Sequence, residues 1–111
     1  MKAIANREAR KYVEARMPFV GSNTLGEWET VRDRRMYCVY SYKWWLLYLY
    51  DEEADVWFEN TETHSRTTSR HLSQCRPHNV LTIKCDLRTI KDAVYQGVNA
   101  VVLRGEDNAV A

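Results

Sequence analysis

Between Met36 and Asn60 the chain reads MYCVYSYKWWLLYLYDEEADVWFEN, and this stretch holds nine of its thirteen aromatic residues. Met36 to Tyr42 alternates: Tyr37, Val39 and Ser41 fall on one side of an extended chain, Met36, Cys38, Tyr40 and Tyr42 on the other. Aromatic and β-branched side chains at a spacing of two suit a pleated strand better than a helix. Leu46 to Tyr50 repeats the pattern, with Leu47 and Leu49 opposed to Leu46, Tyr48 and Tyr50. The run Asp51-Glu52-Glu53-Ala54-Asp55 interrupts the apolar signal and Val56 to Asn60 resumes it, which predicts a β-hairpin around an acidic turn. Large apolar groups on both faces call for cover on both: a helix on one, a loop or a partner on the other.

The flanks supply candidates for that cover. Ala5, Ala9, Tyr12, Val13 and Met17 recur at helical spacings, predicting a helix over Ala3 to Met17 that Pro18 stops. Phe19 to Trp28 reads as a loop by its Gly, Ser and Asn content, and 29–35 as a short strand or turn. A cap at Thr67 or Thr68 suits a short helix through Cys75, closed by Pro77. Val80 to Lys84 is a candidate strand. Asp86 then caps a helix over Leu87 to Gln96, with Leu87, Ile90, Ala93 and Val94 inward and Gly97 ending it. Residues 98–104 fit a strand or a helix equally, and 106–111 are expected to fray. The fold expected is therefore α+β. A small antiparallel β-meander of about three to four strands packs against an N-terminal and a C-terminal helix. All 111 residues form one domain.

The net charge of +1 conceals blocks of opposite sign. Residues 44–65 carry six carboxylates and no basic group, whereas 66–91 carry six basic groups and one carboxylate. Such segregation either steers partners or is simply a solvated acidic turn beside a solvated basic loop. No apolar run approaches the ~18 residues of a membrane-spanning helix, so no membrane partner is expected. Charges interrupt the first residues before any signal-peptide core develops. Cys38, Cys75 and Cys85, an odd number without framework spacing, read as reduced thiols.

Several segments together resemble a group of small bacteriophage proteins. They are Tyr40-Ser41-Tyr42, Leu47 to Asp51, Trp57-Phe58-Glu59-Asn60, Ser65 to His71, and Arg76-Pro77. Those proteins share a Y-S-Y segment, a W-[YF]-x-N segment and a T-T-S-[KR]-H segment. The resemblance covers roughly residues 19 to 77 by motif order. It implies a phage origin and action in the cytoplasm of an infected bacterium, and it brings no catalytic residues with it. The position of His64 is often aromatic in that group.

Catalytic chemistry finds little support. Cys38 lies mid-strand, where a thiol packs well but is poorly exposed as a nucleophile. Asp51, Glu52, Glu53 and Asp55 crowd a turn with no D-x-D-x-D-G pattern. His71, Cys75, His78 and Cys85 are the set nearest to a zinc site, yet their spacing matches no common module and no CxxC pair is present. No cofactor is expected. Binding is the better expectation, because interfaces favour aromatic and arginine anchors and this chain has both. The protein is expected to be a non-enzymatic phage accessory protein of host-takeover or anti-defence type that modulates or inhibits a host protein or nucleoprotein complex. Its acidic turn (Asp51, Glu52, Glu53, Asp55) or its basic loop (Arg66, Thr67, Thr68, Arg70, His71, Arg76) would make the contact. The alternative is a small nucleic-acid-binding module that uses the basic 66–76 loop on phosphates, with Trp44 and Trp45 either stacking on bases or packing in the core.

Overall fold

The aromatic stretch forms the middle of a seven-stranded mixed sheet flanked by three helices. The computed structural model describes residues 2–96. The strands are β1 (Lys2–Ala3), β2 (Phe19–Val20), β3 (Thr24–Val31), β4 (Arg34–Ser41), β5 (Trp45–Asp51), β6 (Val56–Asn60) and β7 (Thr82–Cys85), and they lie in chain order. β2 to β6 pair antiparallel, while β1 joins β2 and β7 joins β6 in parallel. The helices are α1 (Ala9–Glu14), preceded by a 3-10 turn at Asn6–Glu8, α2 (Arg66–Cys75) and α3 (Leu87–Gln96). Gly97, 98–104 and 106–111 lie outside the described residues.

The sheet thus corrects the expected meander of three to four strands. Its largest addition is β3, which runs through the segment expected to be a loop and pairs with β4 along its whole length. The turn residues are real but lie earlier, at Gly21-Ser22-Asn23, where Asn23 takes φ 60°. Gly26 sits inside the strand because the Phe19 ring and the Tyr37 hydroxyl press against it, leaving room for a hydrogen only. β3 and β4 are joined by Arg32 and Asp33, both with positive φ, the geometry of a two-residue type I′ hairpin. The short parallel strands at the edges depend on connections through α1 and α2, and β7 overlaps the strand expected at Val80 to Lys84.

Both faces of the sheet are covered by helices. α1 and α2 close over Phe19, Tyr37, Val39, Leu47, Tyr48 and Trp57, with Ala9, Tyr12, Val13 and Cys75 as the helical contribution. α3 places Ile90 and Ala93 against Met36, Cys38, Leu46, Leu49 and Phe58 on the other face. The β4 alternation holds as far as Ser41. In β5 it is broken by a bulge: Val39 pairs with Tyr48 and Tyr40 with Leu46, so Leu47 is the extra residue. Leu47 and Tyr48 consequently share the α1/α2 face, and Leu49 returns to the α3 face beside Leu46. Tyr42 also departs from its expected side. Its φ of 55° puts it in the β4–β5 turn, where its ring meets His71 of α2 at 5.7 Å.

α1 is shorter than the expected Ala3–Met17 helix. Arg16 adopts φ 53°, and the Met17 N–H donates to Tyr12 O while the Arg16 N–H donates to Val13 O, closing a Schellman motif before Pro18. Arg10 staples α1 to the end of α2 by donating to Arg76 O (2.8 Å) and Ser73 O (2.9 Å). One turn later the Glu14 carboxylate accepts the His78 N–H at 2.7 Å. α2 begins two to three residues earlier than expected: Ser65 is the N-cap, its hydroxyl accepting the Thr68 N–H at 3.1 Å. α3 starts at the expected Leu87 and runs through Gln96, the last described residue, and Asp86 caps it by accepting the Thr89 N–H at 2.8 Å.

Candidate nucleic-acid or protein interface

The basic 66–76 segment is a helix, not a loop, and the helix sorts its residues. Thr68 and His71 are buried and Thr67 is half-buried, whereas Arg66 and Arg70, one turn apart, stand in solvent. Arg76 lies half-buried beyond the helix end and reaches the buried Glu59 at 3.5 Å. Neither Arg66 nor Arg70 forms an ion pair among the described residues. The helix therefore presents two exposed guanidinium groups to a partner, while Thr68, His71 and Arg76 make contacts within the molecule.

His71 anchors α2 to the sheet. Its Nδ1 lies 2.7 Å from Ser41 Oγ on β4. Burial and the nearby Arg70 charge hold its pKa below the ordinary histidine value. A serine beside a histidine invites comparison with a nucleophile and its base, but Ser41 is fully buried under the helix and no substrate reaches it. The Y-S-Y, T-T-S-R-H and W-F-E-N segments thus have structural partners. Ser41 of Y-S-Y meets His71 of T-T-S-R-H, and Asn60 of W-F-E-N donates to Leu46 O (2.8 Å) and accepts the Glu62 N–H (2.9 Å). The Ser41–His71 pair spans thirty residues, which local patterning does not register.

The acidic turn is largely engaged by its own molecule. Asp51 is 1% exposed and pairs with Arg34, its other oxygen accepting the Ala54 N–H at 3.2 Å. Arg34 also reaches Glu53 at 3.0 Å, Arg35 reaches Glu52 at 3.4 Å, and Asp55 accepts the Tyr50 hydroxyl. The arginines at 32–35 are therefore fasteners: Arg35 lies 4.3 Å over the Trp28 ring, and Arg32 donates to Tyr95 O at 2.9 Å. Glu52 and Glu53 remain exposed, but each faces a cation already in place.

The sheet separates Cys85 from His71 and Cys75, which both belong to α2. Cys75 is buried on the α1/α2 side, Cys85 packs on the α3 side, and His78 is exposed past Pro77. No group of three or more metal-ligating side chains occurs among the described residues. The thiols are also poor nucleophiles. Burial pushes Cys75 up to about 12 and Cys85 up to about 11, and burial together with the Glu29 charge pushes Cys38 higher still.

Two further features escaped the sequence. A cavity of about 330 Å³ lies between the sheet and α3, with Met36, Cys38 and Leu49 on one wall and Ile90 and Val94 on the other. Glu29 lines it and accepts the Tyr40 hydroxyl. At the β4–β5 turn, Trp44, Trp45 and His64 form an aromatic trio beside the start of α2. The distance from Trp44 to His64 along the chain hid this grouping.

No protein-family model, curated protein or solved structure matches the chain. No helix among the described residues is long and apolar enough to cross a membrane.

Proposed function

We propose that this chain is a binding protein of the phage-accessory type, acting in the cytoplasm of an infected bacterium. It engages a host protein or nucleoprotein complex and modulates or inhibits it, with no bond-making chemistry of its own. The observation that carries this reading is the display of Arg66 and Arg70 on one turn of a helix that is fixed at both ends. Ser65 caps its beginning, His71 pins its middle to β4, and Arg10 holds its end. Arginines on a rigid element can make bidentate contacts with carboxylates or phosphates at little entropic cost. The acidic turn is the lesser surface, because its carboxylates already have partners. The second reading, a small nucleic-acid-binding module on the same helix, is favoured by the exposed Trp44 alongside it.

The test is capture from host lysate with tagged protein, with and without nuclease, comparing wild type with an Arg66→Glu/Arg70→Glu variant. One stoichiometric host protein, retained after nuclease and lost with the variant, is the expected result. Both arginines are exposed, so the melting temperature of the variant should match wild type. Retention of the same partner by the variant would remove α2 from the interface.

A further inference from the structure

Trp44 is 59% exposed at the β4–β5 turn. Its ring stands nearly perpendicular to Trp45 (5.7 Å, 76°) and to His64 (5.1 Å, 78°), while Trp45 and His64 lie closer to parallel at 5.4 Å and 34°. Rings from two separate segments thus brace an indole that remains mostly in water. A braced side chain loses little rotamer freedom when a further flat group stacks on it. Cations flank the trio along the chain. Lys43 precedes Trp44 in the turn, Arg66 follows His64 by two residues, and Arg70 lies one turn along α2; all three are exposed. The Tyr42–His71 contact holds this turn against α2, so the trio and the helix that bears the arginines meet at one corner, while the other side of Trp44 lines the α3 cavity with Glu29 and Lys91. Glu62, on the approach to His64, is the carboxylate nearest in sequence, and its backbone N–H is tied to Asn60.

We propose that this corner binds single-stranded nucleic acid, with Trp44 stacking on a base and Lys43, Arg66 and Arg70 taking backbone phosphates. A nucleotide uses both parts of the surface. An acidic peptide would satisfy the cations and leave the indole bare, and a basic one would meet the indole and be repelled by the cations. Duplex nucleic acid keeps its base faces stacked on each other, so an isolated indole gains little from it. This inference shares Arg66 and Arg70 with the proposed function and rests on that face being the working surface, but it names a different partner.

The experiment is fluorescence anisotropy of a labelled twelve-nucleotide oligo-dT with the purified full chain at low salt. Wild type should bind with log Kd rising against log salt at a slope of about 2, the value for three phosphate contacts on a single strand. Trp44→Ala should weaken binding about tenfold with an unchanged melting temperature, and Trp44→Tyr should recover most of the loss. Lys43→Glu/Arg66→Glu should abolish binding. Absence of binding at low salt overturns the proposal, as does a Trp44→Ala variant that binds like wild type. Host protein retained after nuclease, with no oligonucleotide binding, overturns this inference and leaves the host-binding reading standing. Oligonucleotide binding without any captured host protein does the reverse.

Discussion

Arg34 and Asp51 show how much one residue pair carries in this protein. They pair diagonally across β4 and β5, Asp51 standing opposite Met36, and the aspartate is out of water. Removing the cation strands a buried carboxylate, which costs far more than the pair contributes against an apolar replacement. Arg34→Ala should lower unfolding stability by about 3 kcal/mol in urea titration, near the low end for a broken buried pair because Arg34 keeps some contact with water. A loss within experimental scatter would show that Asp51 finds another partner. His71 gives a pH signature. Its folded pKa lies below its unfolded value near 6.5, so the unfolded chain binds the proton first as pH falls. The stability it contributes is full above about pH 6.5 and is lost as pH drops through the lower folded value. Melting temperature should therefore fall on acidification across that window. His71→Gln should flatten that part of the profile, and an equal slope in the variant would place the titration elsewhere.

The elements are set by where their ends are satisfied. α2 starts at Ser65 because that hydroxyl reaches the Thr68 N–H, which makes Thr68 a recipient of the cap and not its source. Ser65→Ala should cost about 1 kcal/mol, whereas Thr67→Ala should cost markedly less. Equal losses measured by denaturant titration would contradict the assigned cap. α3 and the β5–β6 hairpin were legible because their signals are local: an Asp cap before an amphipathic run, and an acidic break between two aromatic runs. β3 was not legible. Its glycine and polar content resembles a loop, and only the Phe19 ring and the Tyr37 hydroxyl explain why a glycine belongs at position 26. The turns at Arg32-Asp33 and Tyr42-Lys43 take positive φ without glycine or asparagine, so the usual hairpin cue is missing.

At the scale of the whole molecule, the sheet divides the interior into two cores that share strands but no helix. The three thiols report on them separately: Cys75 on the α1/α2 side, Cys38 and Cys85 on the α3 side. Because Cys38 and Cys75 are buried and Cys85 only half-buried, a neutral thiol reagent followed by mass spectrometry should label Cys85 first. Cys38 and Cys75 should follow together at the rate of global unfolding. Labelling of Cys75 well before Cys38 would mean that the helical layer over α1 and α2 opens by itself.

The aromatic alternation from Met36 to Asn60 by itself determined that a sheet forms the core, and helical periodicity determined α3 and most of α1. These are short-range properties, written in side-chain spacing. Tertiary structure alone decided the rest: β3, the edge strand β1, the parallel pairing of β7, the bulge at Leu47 and the sorting of the basic segment into anchors and free arginines. It also brought Ser41 to His71 and Trp44 to His64. Each of these depends on contacts between residues distant in the chain. A periodic pattern shows which face is apolar, and only the packed fold shows what that face meets.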